Sequence, residues 1–153
     1  MSIPENVQAV LAQVRQAALE AGRSPEAVTL CAATKTQTDE AIRQAIAAGV
    51  TVCGENRVQE LTAHLEAGAY AGAQVHFIGH LQTNKVKQVV GHVELIHSVD
   101  SERLLRAIDS QAGKLGLCQD SLLEVNLAGE QSTGGGPPEA LEPLARLAGE
   151  LPG

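Results

Sequence analysis

Five short apolar runs alternate with amphipathic helical patterns along this chain, and no other feature restricts the fold as much. A leading helical pattern, opened by Pro4 and closed by Gly22, precedes the first run. Short apolar runs bounded by turn residues are typical of buried parallel strands, which need a crossover helix between them. The predicted strands lie at residues 29–36, 50–53, 75–78, 93–97 and 121–126, and Gly54, Glu55 and Asn56 are predicted to form the turn after the second strand. The sequence therefore predicts an α/β fold with a parallel sheet, either open or part of a (β/α)8 barrel.

Composition narrows the kinds of partner. The chain has 153 residues, 44% of them hydrophobic, which is enough for one globular domain with a core. Its net charge of -7 argues against nucleic acid or an anionic membrane as the main partner. No stretch is long and apolar enough to span a bilayer, so we expect a cytoplasmic protein. The three cysteines, Cys31, Cys53 and Cys118, form no close pair and predict buried, reduced thiols.

Lys35 ends the first apolar run, and helix signals begin again at Thr38. The carboxyl ends of parallel strands are where α/β folds keep their chemistry. A lysine that is partly desolvated at such a position loses its proton more readily, and a neutral amine can attack an aldehyde to form a Schiff base. The alternative is an ordinary solvated loop lysine.

Other polar side chains also follow predicted strands. They are Asn56, His80, Ser98 and Asn126. In a parallel barrel these strand ends converge, so we expect the four side chains to share one ligand with Lys35. The alternatives are that Asn56 and Ser98 cap helices, Asn56 in a capping box with Gln59, and that His80 is an ordinary loop residue. A metal site formed by His76, His80, His92 and His97 follows no recognised ligand motif, so no metal is expected.

Five blocks of sequence carry a family resemblance. They are Ala-Thr-Lys-Thr at 33–36, Gly-Glu-Asn-Arg-Val-Gln-Glu at 54–60, His-Phe-Ile-Gly-His-Leu-Gln-Thr-Asn-Lys at 76–85, Ile-His-Ser-Val-Asp-Ser at 96–101 and Val-Asn at 125–126. In order and spacing these blocks resemble the pyridoxal phosphate homeostasis protein family. The likeness runs from the leading helix to about Gly136.

The resemblance implies a parallel (β/α)8 barrel of the TIM-barrel type, similar to the N-terminal domain of alanine racemase. It implies that pyridoxal 5'-phosphate (PLP) is held as an aldimine on Lys35 in a non-catalytic protein of intracellular vitamin B6 homeostasis. PLP-dependent apo-enzymes would receive the cofactor, and family members are monomers. The expected cofactor-binding residues are Lys35, Asn56, His80, Ser98 and Asn126, with no catalytic residue.

This chain departs from the family pattern at several positions. Thr34 stands where serine is usual, Arg57 and Val75 stand where tyrosine and tryptophan are usual, and Thr133 stands where a lysine is usual. The larger departure is that the sequence contains only the first five β/α units after the leading helix. We expect residues 1–153 to form a single PLP-binding barrel domain that is incomplete at its C-terminus. Either the chain is a fragment, or another copy completes it by self-association at the exposed strand edge.

A PLP-dependent amino-acid racemase-like enzyme is the alternative function. Racemisation requires a second acid or base opposite the lysine, and in alanine racemases this is a tyrosine from another domain. The chain has one tyrosine, Tyr70, in the polar stretch before the third predicted strand, and we expect it to lie away from the strand ends. The sequence therefore favours a cofactor-binding protein without catalytic activity.

Overall fold

Six α-helices, three short 3-10 helices and five strands make up the computed structural model, which describes residues 2–129 and 134–153. The helices are α1 (Ile3–Glu20), α2 (Asp39–Ala47), α3 (Val58–Glu66), α4 (Val86–Val89), α5 (Glu102–Leu115) and α6 (Leu141–Glu150). The strands are β1 (Cys31–Ala33), β2 (Val52–Glu55), β3 (Gln74–Phe77), β4 (Leu95–Val99) and β5 (Ser121–Leu123). The strands form a parallel sheet in chain order, which confirms the predicted α/β class. Thr133 lies outside the described residues.

The chain divides into two compact units, which are described separately. The first unit comprises the residues up to 55 together with residues 59–75. In this unit the Ser2 hydroxyl accepts a hydrogen bond from the Glu5 N–H and begins α1, and Pro4 occupies its first turn, as predicted. Thr38 accepts from the Ala41 N–H at 3.1 Å and begins α2, also as predicted. The core includes Ile42, Cys53 and Leu61, all nearly inaccessible to solvent.

The second unit comprises residues 56–58 and 76–153. His76 lies opposite Leu95 in the β3–β4 pairing, and Ile96 lies opposite Ser121 in the β4–β5 pairing. Ser101 begins α5 by accepting a hydrogen bond from the Leu104 N–H at 3.2 Å. The core of this unit includes Phe77, Val89, Val90, Ile96, Val99, Leu104, Ile108 and Ala112.

Two local predictions around β2 were wrong. Val50 does not begin the strand, because its N–H donates to the Ala45 carbonyl at 3.1 Å and closes the end of α2. Gly54 and Glu55 were predicted as a turn but belong to β2, where both are buried. The strand therefore lies two residues further along the chain than the apolar run indicated.

The predicted capping box at Asn56 is also wrong. Helix α3 begins at Val58, and the Asn56 Oδ1 atom is buried without a hydrogen-bond partner among the described residues. A capping box needs this oxygen to accept from a backbone N–H of the first helical turn. Asn56 is therefore not held by the helix that follows it.

Two findings concern the chain as a whole. The described helices are all too short or too polar to cross a membrane. Cys31, Cys53 and Cys118 are free thiols; the predicted burial is confirmed for Cys53, whereas Cys31 is half-buried and Cys118 is exposed.

Candidate functional site

Lys35 lies two residues beyond the end of β1, in a tight turn of the first unit. The Gln37 N–H donates to the Thr34 carbonyl at 3.2 Å, which closes a four-residue turn with Lys35 at its second position. Thr36, at the third position, has φ of 61°. A positive φ at this position is required in type II turns and is normally supplied by glycine. Lys35 thus lies in a turn whose backbone conformation is unfavourable for the β-branched residue Thr36.

The Lys35 side chain is exposed, which differs from the partly desolvated lysine expected from the sequence. Its location at the strand end is as predicted. The exposed position leaves the primary amine open to an incoming aldehyde, which is one requirement for condensation.

Residues of β2 and α3 hold this turn. The Thr34 N–H donates to the Gly54 carbonyl at 3.0 Å, and the Thr34 hydroxyl donates to the Glu55 carboxylate. The Thr36 N–H donates to Glu60 Oε2 at 3.2 Å. Backbone and side-chain groups on either side of Lys35 are therefore fastened to a segment some twenty residues further along the chain.

A buried polar cluster surrounds Glu55. Glu55 is 0% exposed, and burial raises the pKa of its carboxyl group, while the hydrogen bond from Thr34 acts to lower that pKa. Tyr70 is also buried, and its pKa is raised first by burial and then by the charge of nearby Glu55. No hydrogen bond of ordinary geometry joins the Tyr70 hydroxyl to Glu55. The cluster combines an acid and a phenol whose charged forms are both disfavoured.

His64 and Asp39 extend this cluster from the core to the protein surface. The Tyr70 ring packs edge-on against the His64 ring, with ring centroids 5.9 Å apart. His64 Nδ1 lies 2.6 Å from Asp39 Oδ1, and the Asp39 side chain is 40% exposed. The sequence analysis missed the whole cluster because it placed Glu55 in a turn. The available signal was an acidic residue directly continuing an apolar strand run.

In the second unit, Asn56 contacts the loop that follows β3. A Cβ atom added at Gly79 would lie 2.2 Å from the Asn56 carbonyl oxygen, so only glycine permits this approach. His80, the next residue, is exposed. The structure therefore brings the backbone of Asn56 against the loop that carries His80, with the Asn56 amide oxygen buried and unpartnered among the described residues.

Ser98 and Asn126 are placed differently. Ser98 lies inside β4 and is 2% exposed, and its hydroxyl has no partner among the described residues. Because Ser101 caps α5, a capping role for Ser98 is wrong. The Asn126 Oδ1 atom accepts from the Gly129 N–H at 2.9 Å, and the Asn126 N–H donates to the Gly136 carbonyl at 2.8 Å. Asn126 thus orders the loop that follows β5.

Two of the histidines considered as metal ligands contact each other. His76 Nδ1 lies 2.9 Å from His97 Nε2, and burial lowers the pKa of both imidazoles. The described residues contain no group of three or more histidine, cysteine or acidic side chains that could hold a metal ion. His80 and His92 do not join the pair; both are exposed.

Lys35 belongs to the first unit, whereas Asn56, His80, Ser98 and Asn126 belong to the second. The contacts described above bring Asn56 together with the loop of His80. The convergence of all five side chains on one ligand stays a prediction.

Comparison with curated proteins shows the family. A pyridoxal phosphate homeostasis protein of Aquifex aeolicus is 43% identical over 152 residues, which cover 99% of this chain and 67% of the relative. A protein of the same name from Pseudomonas aeruginosa is 39% identical over 155 residues, covering 99% of this chain and 66% of the relative. No family model matches the sequence. The chain belongs to the pyridoxal phosphate homeostasis protein family and spans about two thirds of the length of these relatives.

Solved structures agree with the fold. An unknown protein from Bifidobacterium adolescentis superposes with a TM-score of 0.90 at 39% identity, covering 99% of this chain and 65% of that one. PipY of Synechococcus elongatus, solved with PLP bound, gives a TM-score of 0.76 at 37% identity, covering 92% and 65%. Alanine racemase of Streptomyces coelicolor, at 18% identity, gives 0.69 over 96% of this chain and 39% of that one. The likeness to alanine racemase confirms the predicted fold, part of a (β/α) barrel.

Proposed function

We propose that this chain binds pyridoxal 5'-phosphate covalently through Lys35 and takes part in cytoplasmic vitamin B6 homeostasis. The observation that carries the proposal is the exposed Lys35 amine on a fastened turn at the end of β1. The names of the curated relatives and the PLP-bound structure of PipY support it.

The residues present suit the chemistry of the cofactor. PLP supplies an aldehyde, and condensation with a primary amine gives a carbon–nitrogen double bond with loss of one water molecule. Lys35 provides the amine. Asn56 carries a buried amide oxygen without a partner among the described residues, and such a group gains from a donor on a bound ligand. We propose that Asn56, His80, Ser98 and Asn126 contribute the remaining polar contacts.

We further propose that the protein is not an enzyme. A racemase needs a second acid or base that can reach the substrate. Tyr70, the single tyrosine, is 5% exposed and packed beside Glu55, so its hydroxyl is unsuited to that role. Turnover of either alanine enantiomer by the PLP-loaded chain, lost in Lys35→Arg, would contradict this part of the proposal.

Reductive trapping tests the binding site. The chain is incubated with PLP and reduced with borohydride, and the modified peptide is located by mass spectrometry. The other lysines, Lys85, Lys87 and Lys114, lie in other peptides and serve as internal references. We expect the label at Lys35 and its loss in Lys35→Arg, which keeps the charge, whereas the matched variant Lys114→Arg keeps the label. Label spread evenly over all four lysines contradicts specific binding.

We propose PLP-dependent apo-enzymes as the recipients of the cofactor. The PLP-loaded chain is mixed with an apo-aminotransferase, and recovery of aminotransferase activity is followed over time. The borohydride-reduced chain is the matched control because its carbon–nitrogen single bond cannot release the cofactor. Activation by the loaded chain that is no faster than activation by free PLP at the same concentration would show that release into solution, rather than the chain, supplies the enzyme.

A further inference from the structure

We infer that Glu55 and Glu60 are positioning residues that hold the turn carrying Lys35, an inference that rests on the proposed capture of PLP by this lysine. Neither carboxylate was singled out by the sequence. Both act through the backbone and side chains of Thr34 and Thr36, the neighbours of Lys35.

The turn is not favoured by its own sequence. Thr36 adopts φ of 61°, although a β-branched residue is an outlier in the left-handed region. Such backbone conformations persist where surrounding structure determines them, and they cluster at functional sites. The local bonds are the Gln37 N–H to the Thr34 carbonyl and the Thr36 hydroxyl to the Lys35 carbonyl, at 3.2 and 2.6 Å. These two hydrogen bonds do not by themselves explain why threonine, rather than glycine, adopts the positive φ at position 36.

The determining contacts come from further along the chain. Glu60 accepts the Thr36 N–H, a donor that would otherwise face solvent at the strained residue. Glu55 accepts the Thr34 hydroxyl from inside the core, and Gly54 accepts the Thr34 N–H. The turn is thus held before and after Lys35, so the backbone position from which the Lys35 side chain extends is fixed.

Burial distinguishes Glu55 from an ordinary structural residue. A carboxyl group that is 0% exposed carries a desolvation cost, and an apolar residue would fill the same space without that cost. The hydrogen bond that Glu55 accepts leads directly to the residue before Lys35. The presence of a hydrogen-bond acceptor at position 55 is therefore explained by the turn around Lys35 that it holds.

The test uses matched pairs of variants. Thr34→Val removes the hydroxyl that Glu55 accepts, and Thr34→Ser restores it. Glu60→Ala removes the acceptor for Thr36, Glu60→Gln keeps an acceptor oxygen, and Glu66→Ala removes an exposed carboxylate from the same helix as a control. Because Thr34 is buried, its variants can lose stability, so the half-buried Glu60 pair decides the test if Thr34→Val fails to fold.

Two readouts separate this inference from the proposed function. The first is amide hydrogen exchange at Thr36 and Gln37, which needs no cofactor. The second is the share of borohydride-trapped PLP found on Lys35. We expect Glu60→Ala to speed exchange at Thr36 and to lower the Lys35 share, each by roughly five- to tenfold, the effect of one net hydrogen bond. Glu60→Gln and Glu66→Ala should stay within twofold of the wild type.

Each outcome has one meaning. Faster exchange in Glu60→Ala with no Lys35 labelling even in the wild type supports the positioning role and contradicts the proposed function. Selective labelling of the wild type with unchanged exchange and labelling in Glu60→Ala and Thr34→Val overturns the positioning role and leaves the proposed function standing. An equal loss in Glu66→Ala also overturns it, because a general charge effect would then explain the result.

Discussion

The two faces of strands β3 to β5 in the second unit differ sharply in their surroundings. Opposed residues of parallel strands lie on one face, so Phe77 and Ile96 share a face, and Ser98 follows Ile96 on it by alternation. All three are at most 2% exposed. The other face carries His76, Leu95, His97 and Leu122, which are half-buried or exposed.

The two faces therefore differ in how much their residues contribute to stability. The packed face removes large apolar side chains from water and so supplies stability. On the other face, hereafter the open face, His76 and His97 bond to each other and Leu122 remains 48% exposed. Residues of the open face therefore contribute little to the stability of this unit. In the sequence they cannot be told from core residues, because their side chains are similarly apolar or bulky.

The largest expected effect is on the packed face. Phe77→Ala removes a fully buried ring and should lower the free energy of unfolding by about 3–5 kcal/mol, measured by urea denaturation. Phe77→Leu keeps most of the apolar volume and should cost less than about 1.5 kcal/mol. A loss below about 1 kcal/mol for Phe77→Ala would show that the two faces are not different in energy.

The sequence predicted the elements well because hydrophobic periodicity reports which side of each element is buried. The starts of α1 and α2 were also predicted, because Pro4 fixes a helical φ and Thr38 accepts a hydrogen bond from a backbone N–H three residues on. The order and parallel direction of the strands followed from the alternation itself. These features depend on neighbours in sequence.

The parts that failed depend on distant residues. Gly54 is a turn former by local preference, but it pairs with Ala33, and Glu55 accepts a hydrogen bond from Thr34, so tertiary contacts extend β2 through both residues. The location of Lys35 was predicted from the end of an apolar run. The turn that carries it is hydrogen-bonded to Glu60, which no local pattern connects to Lys35.

A smaller effect is expected from the histidine pair of the open face. Burial lowers the pKa of His76 and His97 in the folded state below the ordinary value of 6.5, and His97 lowers the pKa of His76 further, against the opposing charge of Glu94. Below pH 6.5 the unfolded chain then binds more protons than the folded chain. Stability is therefore complete above this pH and falls as the pH decreases towards the folded pKa values.

Urea unfolding at several pH values checks this expectation. His97→Gln should flatten the dependence below pH 6.5. The difference between the variant and the wild type isolates the pair from Glu55, whose raised pKa acts in the opposite direction. An unchanged pH profile in His97→Gln would mean that the pair does not titrate with folding.

Ser98 is a polar residue on the otherwise apolar packed face, so its replacement should raise stability where the replacement of Phe77 lowers it. Its hydroxyl is buried without a partner among the described residues, so Ser98→Ala should raise the free energy of unfolding by about 1 kcal/mol. Ser101→Ala is the matched control, because Ser101 caps α5 and its loss should cost about 1 kcal/mol. If Ser98→Ala also lowers PLP labelling of Lys35, the hydroxyl is kept for the cofactor at the expense of stability. If Ser98→Ala lowers the free energy of unfolding, as Ser101→Ala does, the Ser98 hydroxyl must have a hydrogen-bond partner, which contradicts this prediction.

The smallest effect is expected at Leu122 on the open face. Because Leu122 is 48% exposed in edge strand β5, Leu122→Ser should change the free energy of unfolding by less than about 0.5 kcal/mol. Measurement at two protein concentrations tenfold apart makes this small number informative. A loss above about 1.5 kcal/mol that grows with protein concentration would show that a second copy covers the open face in solution, since association stabilises only through mass action. A small loss that is independent of concentration means that the leucine stays exposed, so its apolar character is not explained by the stability of this chain.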